Sequence, residues 1–390
     1  MKNKKELGIY IHIPFCVHKC VYCDFLSFPA SQELQKSYID ALLGEIERTA
    51  ASMSAKLENY VVTTVFFGGG TPTCIKPEFI AGIMEKLRQC FAFSHQPEIT
   101  IECNPGTLTE EKAKIYREFG FNRISIGLQT VNDELLKMLK RIHTFAQFEE
   151  SFALARAAGF ENINIDVMSA LPGQHLSDYT QGLEKAVSFS PEHISAYSLI
   201  VEEGTPLWAH PEEFPAPASE DEEREMYYAT DKILKSAGYR RYEISNYSKP
   251  GFECRHNTGY WERREYMGFG IGAASLFENV RIKNISDIER YINESGKMSV
   301  AESEEKLTLT DCMEEFMFLG LRMMSGVDCE RFRECFGVEM LDVYGGPIAK
   351  NIKNKLLEEK LSCDSKSVTG YRLTDRGIDI SNSVMADFIL

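Results

Sequence analysis

Hydrophobic and polar residues along the first two hundred positions fall into two recurring patterns. Short β-branched or apolar runs at residues 8–13, 61–67, 98–102, 123–127, 162–167 and 193–198 predict strands. Between them, residues 32–53, 77–90, 110–119, 144–157 and 177–188 carry helical spacing. Thr109 ahead of Glu110 and Glu111, and Ser177 ahead of Asp178, read as helix starts, while Gly120 and Gly159 sit just past helix ends. Six strands alternating with five helices predict an α/β fold, a parallel sheet closing as a partial (β/α)6 barrel. In such a sheet, ligands gather at the C-terminal ends of the strands. The unusual residues fall there. Three cysteines follow the first strand, Gly68-Gly69-Gly70-Thr71-Pro72 the second and Glu102-Cys103-Asn104-Pro105 the third. Gln129 follows the fourth strand, and Asp166 and Tyr197 lie near the ends of the fifth and sixth.

Past Gly204-Thr205-Pro206, a Pro- and Glu-rich stretch at 211–223 leads into a helix over about 222–236. Residues 240–274 are dense in Gly, Tyr, Asn and Arg and read as functional loop. From 301 the pattern turns helical, over 311–323, 328–336 and 347–358, followed by a strand–turn–strand pair at 361–365 and 369–374. This predicts a small C-terminal helical, winged-helix-like domain, read as a packing or partner-docking module. The expected domains are therefore 1–205 for the barrel, 206–300 for an extension and 301–390 for the C-terminal unit.

Composition narrows the classes. The chain has 390 residues, 44% of them hydrophobic, enough for a sizeable core. Its net charge of −15 argues against broad binding to nucleic acid or anionic lipid, both of which need basic surfaces. No apolar run approaches the ~20 residues of a membrane span, so no integral membrane segment is expected. The apolar stretch near the N-terminus is broken by His12 and Pro14, which excludes a signal peptide and predicts a cytoplasmic protein. Eleven cysteines are present, an odd number. Three crowd together, and the single ones, such as Cys312 and Cys335, read as buried small hydrophobes.

The crowded three, Cys16-x3-Cys20-x2-Cys23, fall in a loop directly after a strand. In a cytosolic chain such a group binds metal more often than it forms a disulfide, which would strand the third thiol. Structural zinc wants four ligands, typically from paired C-x2-C units. Only one such pair exists here, and His12 and His18 fit no zinc spacing. Three thiolates on a short loop can hold three corners of a [4Fe–4S] cluster, leaving one iron open to a small ligand.

Tyr10-Ile11-His12-Ile13-Pro14-Phe15-Cys16, the C-x3-C-x2-C motif and Tyr22 within it resemble the radical-SAM superfamily. More narrowly they resemble the branch that contains oxygen-independent coproporphyrinogen III oxidases and HemW-type heme chaperones. The resemblance implies S-adenosylmethionine chelated by the open iron, and cleavage of its sulfonium bond to a 5′-deoxyadenosyl radical by an electron from a reducing donor protein. It implies further that Gly69, Gly70 and Thr71 lie against the methionine amino group, with glycine allowing close backbone approach. Tyr10 and Glu102 would contact the same molecule, and Tyr22 would pack beside the adenine. Gln129, Arg141 and Asp166 match positions that contact a second S-adenosylmethionine in the oxidases. The plainer alternative makes Glu102 and Asp166 strand-end carboxylates paired with Arg123 or Arg141.

A second signature runs from Tyr242-Glu243-Ile244-Ser245-Asn246-Tyr247 to His256-Asn257-x-x-Tyr260-Trp261. The H-N-x-x-Y-W segment resembles a hallmark of HemW-type chaperones. It would offer His256 as a heme ligand, Tyr260 and Trp261 as flat faces for the porphyrin, and Arg255, Arg263 and Arg264 as partners of its propionates. The plainer reading has Asn257 capping a turn while Tyr260 and Trp261 pack on the barrel. Two departures separate the chain from the oxidases. Phe25 stands where they carry a further cysteine, and only nine residues precede Tyr10, too few for the segment that closes over their porphyrin. The expected function is thus a heme chaperone that passes heme to apo-hemoproteins, with a homodimer left open as an assembly. The alternative is oxidative decarboxylation of coproporphyrinogen III to protoporphyrinogen IX.

Overall fold

β1 (Lys5–Ile13), β2 (Tyr60–Gly69), β3 (Phe93–Cys103), β4 (Arg123–Gln129), β5 (Asn162–Ser169) and β6 (His193–Ser198) lie side by side in that order, each parallel to the next. The computed structural model describes residues 4–295, 299–362, 364 and 367–390. All six expected strands are present. β3 reaches back to Phe93 across a register shift opposite Val62–Thr64, where Ser94, His95, Gln96 and Pro97 give no alternation to read. The intervening helices cover the outer face. Ile9, Ile11 and Ile13 of β1, Val65 and Phe67 of β2 and Ile99 and Ile101 of β3 share one buried core with Leu42, Ile46, Ile83 and Leu87 from those helices. Burying alternate positions of neighbouring strands under amphipathic helices is what holds the sheet in register.

Helix boundaries follow local chemistry. Ser31 caps Gln32–Ser52, Thr109 caps Glu110–Glu118, and Thr144 with Gln147 forms a capping box on Phe145–Ala157. Pro77–Cys90 begins on its proline. The helix expected from Ser177 instead begins at Leu176. His175 and Asp178 form its box, so Ser177 lies inside it. A short helix at Asp133–Met138, capped by Asn132, carries too few turns to show a period.

The stretch expected to be loop remains mostly loop but carries three short strands and the start of a fourth. β7 (Arg240–Arg241) and β8 (Asn246–Ser248) extend the β6 edge antiparallel, and β9 (Tyr266–Phe269) pairs parallel with β1. β10 (Ala274–Phe277), β11 (Val280–Asn284) and β12 (Ala301–Lys306) continue outward antiparallel. Among the described residues twelve strands form one sheet, ordered β12-β11-β10-β9-β1-β2-β3-β4-β5-β6-β8-β7. Strands of two to five residues are too short to reveal a period of two, which is why Gly and Tyr density read as loop. A helix at Arg255–Trp261 was hidden in the same stretch.

The C-terminal unit has its own core, with Phe316, Phe332, Tyr344, Ile348, Leu373 and Phe388 at its centre. Helices Leu309–Gly320, Cys329–Phe336 and Met340–Lys353 pack on a three-stranded sheet ordered β13 (Val327–Asp328), β15 (Val368–Leu373), β14 (Leu357–Leu361). The third helix was expected at 347–358, with its proline first. It begins at Met340 and carries Pro347 inside, because Met340, Tyr344 and Ile348 form a buried stripe at helical spacing. The hairpin accordingly shifts to β14 and β15, and Ser365, the expected end of its first strand, lies outside the described residues. Cys312 is buried as expected, whereas Cys335 is exposed at the end of its helix. Among the described residues no helix is long and apolar enough to cross a membrane.

Candidate functional site

The loop after β1 is clasped at both ends. The Phe28 amide donates to the Pro14 carbonyl at 2.9 Å, and the Cys16 amide to the Phe28 carbonyl at 3.1 Å. Phe15 is fully buried beneath, edge-on to Phe28 and Tyr38. Further along, His12 Nε2 bonds the Leu26 carbonyl and the Val21 amide donates to Leu139 O. A fixed loop therefore presents Cys16, Cys20 and Cys23 at the C-terminal end of the sheet, and none of them is in a disulfide.

Gly68–Thr71 runs beside this loop and is zipped to it. The Gly70 amide donates to Ile13 O at 2.8 Å and the Thr71 amide to Phe15 O at 2.7 Å. A side chain on Gly70 would meet Phe15 O at 2.6 Å, and one on Gly69, at φ +111°, would meet the His12 ring at 2.5 Å. Contacts within the chain thus already require glycine here, apart from any approach of a ligand. Thr71 Oγ1 lies 3.5 Å from Cys16 Sγ and accepts from Asn104 Nδ2 at 2.9 Å. Asn104 Oδ1 accepts a short hydrogen bond from Arg141 Nη2, and Arg141 Nη1 reaches Cys20 Sγ at 3.7 Å. A polar chain from four segments, Cys16–Thr71–Asn104–Arg141–Cys20, ties two of the cysteines together. Asn104 was quoted in the sequence but given no role. Its signal was its place directly after a strand, two positions past Glu102.

These residues open onto a cavity of about 470 Å³. Of the thirteen expected site residues, eleven line it: Cys16, Cys20, Cys23, Tyr22, Gly69, Gly70, Thr71, Glu102, Gln129, Arg141 and Asp166. Tyr10 and His256 do not. Tyr10 turns its hydroxyl to His12 Nδ1 at 3.1 Å. Gln129 has φ +66°, an uncommon conformation for a residue with a side chain, just past a register shift between β4 and β5. Its Oε1 accepts from the Tyr197 hydroxyl at 3.4 Å.

Two carboxyls face each other in this interior. Burial, reinforced by the negative field of Asp166, pushes Glu102 up to about 8, although the Gly69 amide donates to its Oε2 at 3.2 Å. Burial also raises Asp166, against bonds from Asn164 at 2.7 Å and Ser125 at 3.2 Å. Among the described residues neither carboxylate forms an ion pair with Arg123 or Arg141. Arg141 gives its second bond to Gly127 O at 3.0 Å. The cavity therefore holds acidic groups short of positive partners, a setting that suits a ligand carrying a cationic amino group.

The donor set fits an iron–sulfur cluster. Among the described residues no three His, Cys, Asp or Glu side chains converge tightly enough to grip one metal ion. A tetrahedral zinc holds each sulfur at about 2.3 Å, which needs such convergence. Separate corners of a cubane do not. Burial raises the thiols of Cys16 and Cys23, so they become thiolates on metal binding, with release of protons.

The second signature is buried beside β2 and β3. Glu98 caps the helix Arg255–Trp261, its Oε2 accepting from the Arg255 amide and its Oε1 from the His256 amide, both at 3.0 Å. His256 is 3% exposed. Its Nδ1 lies 2.8 Å from Thr64 Oγ1, its Nε2 2.9 Å from the Tyr260 hydroxyl, and Phe66 stacks on the ring. Burial, with the positive field of Arg123, holds the imidazole down to about 3, so it is neutral. An iron ligand needs a free ring nitrogen, and both of these are engaged. The three arginines are engaged as well: Arg255 with Gln96 O, Arg263 with Glu315, Arg264 with Glu6 and Glu262. Asn257, the next residue, lines the cavity.

The radical-SAM superfamily signature matches residues 10–185, and that of the HemN C-terminal domain matches 307–380. Curated relatives named heme chaperone HemW from Lactococcus lactis and Bacillus subtilis are each 35% identical, over 99% and 97% of this chain and 98% of their own lengths. One of the same name from Escherichia coli is 36% identical over 70% of this chain and 71% of its own. The solved coproporphyrinogen III oxidase (HemN) of Escherichia coli shares the fold, with a TM-score of 0.84 over 99% of this chain and 91% of that one, at 21% identity. Sequence identity sustained across both units, on this fold, places the chain in the HemW family of radical-SAM proteins.

Proposed function

We propose that this protein binds heme and delivers it to apo-hemoproteins, and that it holds a [4Fe–4S] cluster on Cys16, Cys20 and Cys23 with S-adenosylmethionine in the adjoining cavity. The observation that supports this reading is the 35% identity over 99% of the chain to a relative named as a heme chaperone. When bound, the cluster can supply an electron to the sulfonium of S-adenosylmethionine. The chain's own part is positional. Gly69, Gly70 and Thr71 wall the methionine end, and Glu102 takes its amino group, a cation that relieves the carboxyl's unfavourable burial. Tyr22 lies along the adenine. Arg141 steadies Cys20, and Gln129 and Asp166 meet ligand hydroxyls deeper in the barrel. Tyr10, off the cavity wall, acts by orienting His12 and through it the cysteine loop. Residues 301–390 form the packing or partner-docking unit.

The test is one anaerobic preparation reconstituted with iron and sulfide. Ferric heme is titrated in and followed optically. The loaded protein is then mixed with an apo-b-type cytochrome, and a parallel arm receives dithionite, S-adenosylmethionine and coproporphyrinogen III. Heme binding followed by transfer to the cytochrome supports the chaperone. Absence of heme binding, with protoporphyrinogen accumulating, overturns it in favour of the decarboxylase.

A further inference from the structure

A protein that carries heme and must release it needs a ligand for the iron, apolar area for the macrocycle, and an open path outward. The chain has eight histidines. His12, His143, His193 and His256 are buried. His95, His175 and His210 are exposed but do not line the cluster cavity, and His210 faces Glu212. His18 is exposed and lines the cavity. It lies on the clasped loop between Cys16 and Cys20.

The same cavity wall carries Phe25 at 61% and Ile200 at 69% exposure, with Leu199 beside Ile200. Side chains that line a cavity and remain so exposed lie at its mouth. Phe25 comes from the cysteine loop and Ile200 from the segment after β6, so apolar area is supplied from two segments. Large apolar side chains left uncovered around a concave site mark a ligand surface rather than a core.

We infer that heme sits across the mouth of the cluster cavity, with His18 as an axial ligand of its iron and Phe25 and Ile200 against the macrocycle. This rests on the heme-binding reading above and gives that reading its place. Asp24 and Glu202 on the cavity wall turn the propionates away from their side, while Lys19, also on the wall and bonded to Phe25 O at 2.9 Å, offers them a cation at the rim. An exposed seat of this kind releases its cargo without opening the fold. A seat at His256 requires the Thr64 and Tyr260 bonds to break first.

The experiment is a ferric heme titration of the cluster-loaded protein, followed by optical absorption and electron paramagnetic resonance, on wild type, His18→Ala, His256→Ala and the double variant Phe25→Ser/Ile200→Ser. Wild type and His256→Ala are expected to share one histidine-ligated spectrum. His18→Ala is expected to lose it, to bind at least about tenfold more weakly, and to regain it when imidazole is added. Phe25→Ser/Ile200→Ser is expected to weaken binding with the ligand signature kept. A wild-type spectrum in His18→Ala overturns the assignment while heme binding stands. No heme binding by wild type removes the proposed function and this seat together.

Discussion

Thr64 Oγ1 and His256 Nδ1 meet at 2.8 Å across 192 residues of chain, joining the middle of β2 to the signature helix. The bond is buried, and the ring's other nitrogen is closed by Tyr260. The pair therefore staples helix to barrel. Thr64→Val leaves a buried ring nitrogen without a partner, a loss of about 1–3 kcal/mol. His256→Ala adds a cavity and reaches about 2–5 kcal/mol. Both variants should unfold earlier in urea while binding heme like wild type when titrated well below their midpoints. A stable His256→Ala protein with impaired heme binding would reverse the assignment of roles.

The glycines after β2 give a second prediction. An added methyl on Gly70 meets a backbone carbonyl, Phe15 O, which cannot swing away as a side chain would. Gly70→Ala should push the cysteine loop off β2 and lower the iron and sulfide retained per chain after reconstitution. Gly82→Ala is the control. Gly82 lies inside the helix Pro77–Cys90, and an added Cβ meets nothing within 4 Å. Exchanging glycine for alanine in a helix should stabilise the fold by roughly 0.5–1 kcal/mol and leave iron content unchanged.

Glu102 makes stability depend on pH in a direction opposite to that of a salt-bridged carboxylate. Its folded value of about 8 lies above the ordinary 4.5, so between those values the native state holds a proton that the unfolded chain has lost. Glu102's contribution to the stability of the cluster-free protein must then fall as pH rises through that window. The buried histidines His143 and His256, whose values are lowered, act the other way up to about pH 6.5. Each pKa unit is worth about 1.4 kcal/mol, so the contribution is a few kcal/mol at most. Glu102→Gln, neutral at every pH, should unfold later than wild type at pH 8 and show a flatter slope from about pH 6.5 to 8 in urea titrations. Part of the slope will remain, because buried Glu45 is raised to about 7. An unchanged slope in Glu102→Gln would mean that Glu102 is ionised in the folded state.

What was legible in the sequence follows from the length of the signal. The six parallel strands and their helices were readable because burial on the sheet's helix-covered face repeats over five or more residues at a time. The cavity was readable because strand ends gather in space whatever the details of their loops. The edges of the sheet were not, since β7, β8 and β10 are only two to four residues long. The helix carrying His256 was missed for a related reason. Its N-terminal cap is Glu98, far away in sequence, and no local residue announces it. The role given to His256 rested on residue type and resemblance. Which way the ring faces is decided by Thr64 and Phe66, from another strand. Asn246 shows the converse. Its carboxamide is oriented by Glu243, three positions earlier, yet that pairing is buried by a domain whose contacts no short window reveals.

That buried pairing supplies the last prediction. Glu243 is fully buried, with Oε1 accepting from the Ser245 amide at 2.8 Å and Asn246 Nδ2 at 2.6 Å. Its Oε2 has no hydrogen bond, and its charge is met by Arg322 Nη2 at 3.5 Å. The Arg322 guanidinium lies 4.3 Å over the ring of Trp261, and the Met324 amide donates to Tyr242 O. Both signature segments thus meet the C-terminal unit at one seam, where a cation bridges a buried carboxylate and an aromatic face. Arg322→Ala strands a buried charge and should cost about 3–5 kcal/mol. The loss should be local at first, so limited proteolysis should cut near 320–330 before the barrel unfolds. Replacing both members, as Glu243→Gln with Arg322→Met, removes the stranded charge and should restore most of the stability, a coupling that a double-mutant cycle measures directly. If Arg322→Ala and the double variant lost equal stability, the seam would be held by the apolar contacts of Trp261 and Met323 instead, and the charge pair would be incidental to it.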